Sequence, residues 1–217
     1  MIKNSKAFIS MLLITTIILS SLPLLVNAND DIDSSNVVDI IQEAIDSEDY
    51  AATATKVAVD EAEYIWGMIR TKLDTIGFCE ELRGNIYIEK DDTKIEPVKI
   101  IDDRYTNLMV YYYVKIYEDN FGNLVSAMFV YDENTNSLLK VEANKISKEG
   151  DFESFFNYSE YNKRLTRDFS IWGQNFLCAT TGLIACTAYC AMIGVLSAPV
   201  AIGCSLVCGT AFNAACS

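Results

Sequence analysis

Two hydrophobic periods run through the body of the chain. Val37, Val38, Ile40, Ile41, Ala44 and Ile45 recur at helical spacing, with Asn36 as a candidate N-cap. A longer helical pattern follows, with Ala54, Val57, Ala58, Ala62, Ile65, Met68, Ile69, Leu73 and Ile76 on one face and Gly77 where a C-terminal cap belongs. From Gly84 the period becomes two. Ile86 and Ile88 open a strand, KDDTK predicts a turn, and the next apolar run, 95–101, contains Pro97, which marks it as an edge or broken strand. Beyond it Leu108, Val110, Tyr112, Val114 and Ile116 alternate with Met109, Tyr111, Tyr113, Lys115 and Tyr117, so one sheet face reads as aliphatic and the other as tyrosine-rich. The turns DNFGN and DENTNS introduce two further strands, 124–131 and 138–146; in the second, Leu139, Val141 and Ala143 alternate with Lys140, Glu142 and Asn144.

Helices followed by a hairpin meander predict an α+β domain, with helices packed on the aliphatic face of an antiparallel sheet. The exposed-looking tyrosines, Tyr111, Tyr113, Tyr117 and Tyr131, invite a reading as a binding surface, but the strand propensity of aromatic residues on a half-exposed face is the favoured explanation. Residues 151–175 read as a connector in which Phe152, Phe155 and Phe156 stand at helical spacing.

Charge divides the chain more sharply than periodicity does. There are 17 Lys and Arg against 30 Asp and Glu, for a net charge of -13. The last charged side chain is Asp168, and Lys3 and Lys6 are the charges that precede residue 29. An acidic body disfavours phosphate backbones, so no nucleic acid partner is expected. Lys3 and Lys6, the apolar run AFISMLLITTIILSSLPLLV and the small residues up to Ala28 predict an export signal, cut between Ala28 and Asn29, or else an uncleaved anchor. The expected layout is a signal at 1–28, an acidic domain at 29–150, the connector at 151–175 and a cysteine-rich end at 176–217. Export gives access to an oxidising compartment, where cysteines become candidate cross-links.

Six cysteines lie in the uncharged end, and the intervals between them are a mirror image about Ser197. Pro199 beside that centre predicts a reversal of direction. On the first arm Cys178, Gly182, Cys186, Cys190 and Gly194 form a ridge of small residues, which would let two helices approach to disulfide distance. Many connectivities remain open to six cysteines. The mirror spacing favours the nested set Cys178 to Cys216, Cys186 to Cys208 and Cys190 to Cys204 in a small stapled helical hairpin. Two membrane-spanning helices are the competing reading, each arm being close to span length. A zinc site is disfavoured by the spacing and by the lack of histidine. Cys79 reads as a buried small hydrophobe or an intermolecular cross-link. No catalytic triad, phosphate-binding loop or dinucleotide motif is visible, so neither enzymatic activity nor a cofactor or metal is expected.

The arms CATTGLIACTAYC and CSLVCGTAFNAAC resemble the halocin-type cysteine-rich bacteriocin domain, with fewer cysteines than the halocin peptide itself. The order of signal, acidic body and cysteine-rich end resembles precursors that combine an immunity protein with a bacteriocin. The resemblance covers roughly residues 176–217 directly and the body through its layout. It implies a secreted bacterial precursor, whose C-terminal peptide acts on a target-cell membrane and whose immunity-like region binds that peptide. Lys163, Arg164 and Arg167, the basic residues at the boundary, are the candidate processing site. The alternative is an extracellular binding or sensor module held by a disulfide-stapled membrane anchor.

Overall fold

The apolar run in the middle of the meander becomes the centre of a seven-stranded antiparallel sheet. The structure, a computed structural model, describes residues 35–47, 52–90, 96–102, 108–147 and 152–160. Their elements, in chain order, are α1 (Ser35–Ser47), β1 (Ala52–Lys56), α2 (Val59–Leu73), α3 (Phe78–Gly84), β2 (Ile88–Glu89), β3 (Val98–Asp102), β4 (Leu108–Glu118), β5 (Leu124–Asp132), β6 (Ser137–Ile146) and β7 (Phe152–Ser159). The strands lie in the order β1-β3-β4-β5-β6-β7, and β2 pairs with the far end of β4, at Tyr117 and Glu118.

All nine residues of β5 are buried, as expected of a central strand covered on both faces. The register Tyr113↔Phe129↔Val141 places the odd-numbered side chains of β4 and β5 on one face, and Tyr112↔Val130↔Lys140 places their neighbours on the other. The first face carries Tyr111, Tyr113, Tyr117, Val125, Ala127, Phe129, Val141 and Ala143, and α2 and α3 pack on it through Ile65, Ile69, Leu73, Phe78 and Leu82. Asp60 and Glu61 in the first turn of α2, with Arg70 and Lys72 in its last, complement the helix dipole. Gly77, at φ 83, supplies the left-handed turn from α2 into α3, a conformation costly for residues with a Cβ.

Helix α1 lies beside β1. Gln42 occupies the free edge of that strand: its Oε1 accepts from the Ala54 backbone N–H at 2.7 Å, and its Nε2 donates to the Ala52 carbonyl at 3.4 Å. One side-chain amide thus stands in for a neighbouring strand and blunts an edge that could pair with another chain.

The fold differs from the predicted α+β domain with a disulfide-stapled helical hairpin. The described protein is mostly sheet, with three helices of 13, 15 and 7 residues. The hairpin expected at 176–217 lies outside the described residues, and nothing in the fold supports it. Ala54 and Val57 do not belong to the long helix; 52–56 is a strand, and α2 begins only at Val59. Alanine and threonine at 51–55 gave a helical spacing by coincidence, and pairing with β3 overrides it. Pro97 immediately precedes β3, its carbonyl accepting from Val57 N–H, and β3 is an interior strand between β1 and β4. Ile86 stands in a turn at φ 59 rather than in a strand. Residues 152–159, expected within a connector at helical spacing, are the edge strand β7; a register shift between Ala143 and Asn144 lets Phe155 and Phe156 both reach the first face.

Candidate functional site

Helices α2 and α3 cover the tyrosine face, not the aliphatic one expected to carry helix. The tyrosine rings supply core volume while their hydroxyls find partners inside the protein. Trp66 of α2 stacks on Tyr113 with centroids 5.8 Å apart and meets Phe129 edge-on at 5.2 Å. Phe78 of α3 is fully buried among Tyr117, Phe129 and Phe156. Tyr113 Oη donates to the Ala62 carbonyl at 2.9 Å, and Tyr131 Oη lies 2.8 Å from Asn136 Oδ1. Tyr111 Oη stands 2.6 Å from Glu61 Oε1 and 2.8 Å from Glu133 Oε2, so two carboxylates share one hydroxyl proton. Lys99 Nζ donates to the same Glu61 oxygen at 2.8 Å. The Lys99 ammonium, and after it the Tyr111 hydroxyl, hold the Glu61 carboxyl below the ordinary carboxylate range. Burial, reinforced by Glu61 and Glu133, pushes the Tyr111 hydroxyl well above its usual range. A face so filled and so internally paired is core, and it offers no free binding surface.

The second face has a different character. Val98, Ile100, Val110, Tyr112, Val114, Met128 and Val130 form an apolar field across β3, β4 and β5, and all are buried although α2 and α3 lie on the other side. Burial of each such side chain stabilises by about 1.5–3 kcal/mol. Beside the field, on β6, stand Lys140, Glu142 and Asn144, paired respectively with Val130, Met128 and Ser126. Alternation along β6 reads these three as a solvated row. Instead the side chains of Lys140 and Glu142 are 1% and 2% exposed, with Nζ and Oε2 3.9 Å apart. Asn144 Nδ2 donates to Glu142 Oε1 at 3.2 Å, while Glu142 Oε2 accepts no hydrogen bond among the described residues. Burial pushes the Glu142 carboxyl above its ordinary range, an effect that Lys140 opposes, and burial likewise holds the Lys140 ammonium below its own.

Sequence reasoning missed this strip. The available signal was in β5, whose run LVSAMFVY is apolar or small on both faces and so calls for cover on both.

The expected cross-link cysteines (Cys178, Cys186, Cys190, Cys204, Cys208 and Cys216), the cleavage pair Ala28 and Asn29, and the basic residues Lys163, Arg164 and Arg167 all lie outside the described residues. Cys79, on α3, is a free and partly buried thiol packed against the first-face core, and burial raises its pKa. Among the described residues there is no cluster of potential metal ligands, and no helix is long and apolar enough to cross a membrane.

These features define a sheet protein with one face closed by α2 and α3 and a second face, on the side away from them, that is apolar with an embedded ion pair. Residues 27–216 match the model of the family described as "Putative immunity protein/bacteriocin", and the chain belongs to that family. No curated protein and no solved structure matches the chain.

Proposed function

We propose that the chain is a secreted bacteriocin precursor: the uncharged cysteine-rich segment 176–217 becomes a membrane-active peptide, and the acidic sheet domain before it is the immunity and carrier partner. The observation that carries this reading is that one family model spans the sheet domain and the cysteine-rich end together. An apolar segment without charge partitions readily into a bilayer, so a producing cell needs it covered until release. The six cysteines, cross-linked after export, would hold a segment too short for a core of its own. In this reading the sheet domain works by binding the peptide. Lys163, Arg164 and Arg167 mark the region where release takes place.

Two measurements test the proposal. Mass spectrometry of the culture supernatant should find a peptide that begins between residues 163 and 178 and ends at the C-terminus; finding full-length mature chain alone removes processing. Synthetic, oxidised 176–217 should release dye from liposomes and inhibit growth. An inert peptide would favour the reading of the segment as an anchor.

A further inference from the structure

We propose that the second face of the sheet is the seat of the chain's own segment 178–216. This deepens the proposed function by naming the surface through which the immunity domain holds its peptide, and it rests on that reading for its biological meaning.

Burial argues for an occupant from the same chain. Val98, Ile100, Val110, Tyr112, Met128 and Val130 are each 2% exposed or less within a single copy of the protein. The helices α2 and α3 pack on the opposite face, and α1, whose fully buried Ile41 and Ile45 lie outside the first-face core, reaches the sheet beside β1, at the far edge from the part of the face made by Met128, Val130, Lys140 and Glu142. The short gaps in the described chain, at 48–51, 91–95, 103–107 and 148–151, are too small to cover four strands. Residues 1–34 and 161–217 are long enough.

Chemistry and position choose between them. Across β3 to β6, four strands at about 4.8 Å spacing, of which the longer three run about 30 Å and β3 about half that, the face has an area of roughly 500 Å², approaching one side of an ordinary stable interface. Its embedded charges, Lys140 and Glu142, are opposite in sign and adjacent, so a charged occupant would bury a net charge at high cost, whereas a neutral one does not. Segment 178–216 has no charged side chain, whereas residues 29–34 include three aspartates; residues 7–28 are uncharged too, but they are the expected export signal, which cleavage would remove before the face is covered. The uncharged segment still offers hydroxyl and amide donors, such as Thr187, Tyr189 and Asn213, for Glu142 Oε2, which accepts no hydrogen bond among the described residues. The chain also leaves the sheet at the right place. Glu160 N–H donates to the Leu139 carbonyl at 2.8 Å and Ser159 pairs with Lys140, so the polypeptide departs from the edge of the strip itself.

The test is photo-cross-linking in the full-length secreted chain, with benzoylphenylalanine placed at position 112 on the second face or, as a control, at position 113 on the first. Both positions are buried and benzoylphenylalanine is bulkier than tyrosine, so only variants whose circular dichroism matches that of the natural chain are cross-linked, and the second arm decides where one does not fold. Position 112 should cross-link within one chain to peptides from 178–216, and position 113 to α2. Adducts from position 112 to residues before 35, to a second copy, or to no other segment would overturn the proposal. In a second arm, Met128→Lys should accelerate amide hydrogen exchange across 178–216 at least tenfold while leaving exchange in α2 within threefold; unchanged exchange in the segment would also overturn it. The outcomes separate the two claims. Cross-links elsewhere together with an active peptide defeat the face and spare the function, and cross-links as expected with an inert peptide do the reverse.

Discussion

Replacing Lys140 with methionine probes whether the second face is closed to water. The change leaves Glu142 buried opposite an alkyl chain of similar length. At the observed 3.9 Å, the attraction between the two charges is about 4 kcal/mol for an effective dielectric constant of about 20. Removing each charge from water costs several kcal/mol, so the intact pair comes out near balance. Its disruption does not: a buried carboxylate stripped of its counter-charge costs about 3–5 kcal/mol, a large part of a typical domain stability of about 5–15 kcal/mol. Urea unfolding of the full-length chain, followed by tryptophan fluorescence, should show the midpoint falling by more than about 1 M. The double variant Lys140→Met with Glu142→Leu should return to wild-type stability or exceed it. The pH dependence has a definite sign. Burial raises the folded-state pKa of Glu142 above its unfolded value, so the folded chain takes up the proton first and gains stability as pH falls through that window. The destabilisation by Lys140→Met should therefore shrink from pH 8 towards pH 5. A cost below about 1 kcal/mol at neutral pH, the behaviour of an exposed pair, would refute the claim that this face is covered.

Other outcomes follow from the first face and its helices. Phe78→Ala removes a fully buried ring that meets three aromatic neighbours and should cost about 3–5 kcal/mol in the same urea assay; a loss below 1 kcal/mol would show that the described core is wrong. Gly67 sits exposed inside α2 with nothing within 4 Å of an added Cβ, so Gly67→Ala should stabilise by about 0.5–1 kcal/mol, whereas Gly77→Ala, equally roomy but at φ 83, should destabilise by about 1–2 kcal/mol. Equal effects at the two positions would contradict the assigned backbone. Glu61 is held below the ordinary carboxylate range by Lys99 and Tyr111, so its contribution is present above the unfolded-state pKa and is lost as pH falls through the lower folded-state value. Glu61→Gln should accordingly flatten the acid limb of the stability curve, and an unchanged acid limb would exclude this role.

The sequence made the meander legible because period-two alternation and turn residues are local signals. Strands β4, β5 and β6 fall close to their expected bounds. It misled wherever partners decide the outcome. Ala54 is in a strand because β3 pairs with it, and Phe155 and Phe156 are in a strand because β6 does. Tyr111, Tyr113 and Tyr117 looked half exposed, since a tyrosine on a strand carries no mark of what lies above it; Glu61 and the Ala62 carbonyl, some 50 residues away in sequence, give two of them hydrogen-bond partners. The same blindness hid Lys140 and Glu142, whose alternation with Val141 is that of an ordinary solvated row. The family, by contrast, was legible from the resemblance of the two cysteine-bearing arms and of the chain's order of segments to known precursors, which needs no knowledge of packing.

The most direct test of the central claim sets the peptide against its guard. Oxidised 176–217 is added to dye-loaded liposomes with the sheet domain, residues 29–175, either in its natural sequence or carrying Met128→Lys. The peptide should empty the liposomes, the natural domain should suppress leakage at equimolar ratio, and the Met128→Lys domain should be needed in at least tenfold larger amount. A peptide that leaves the liposomes intact, or a natural domain that fails to protect them, would contradict it.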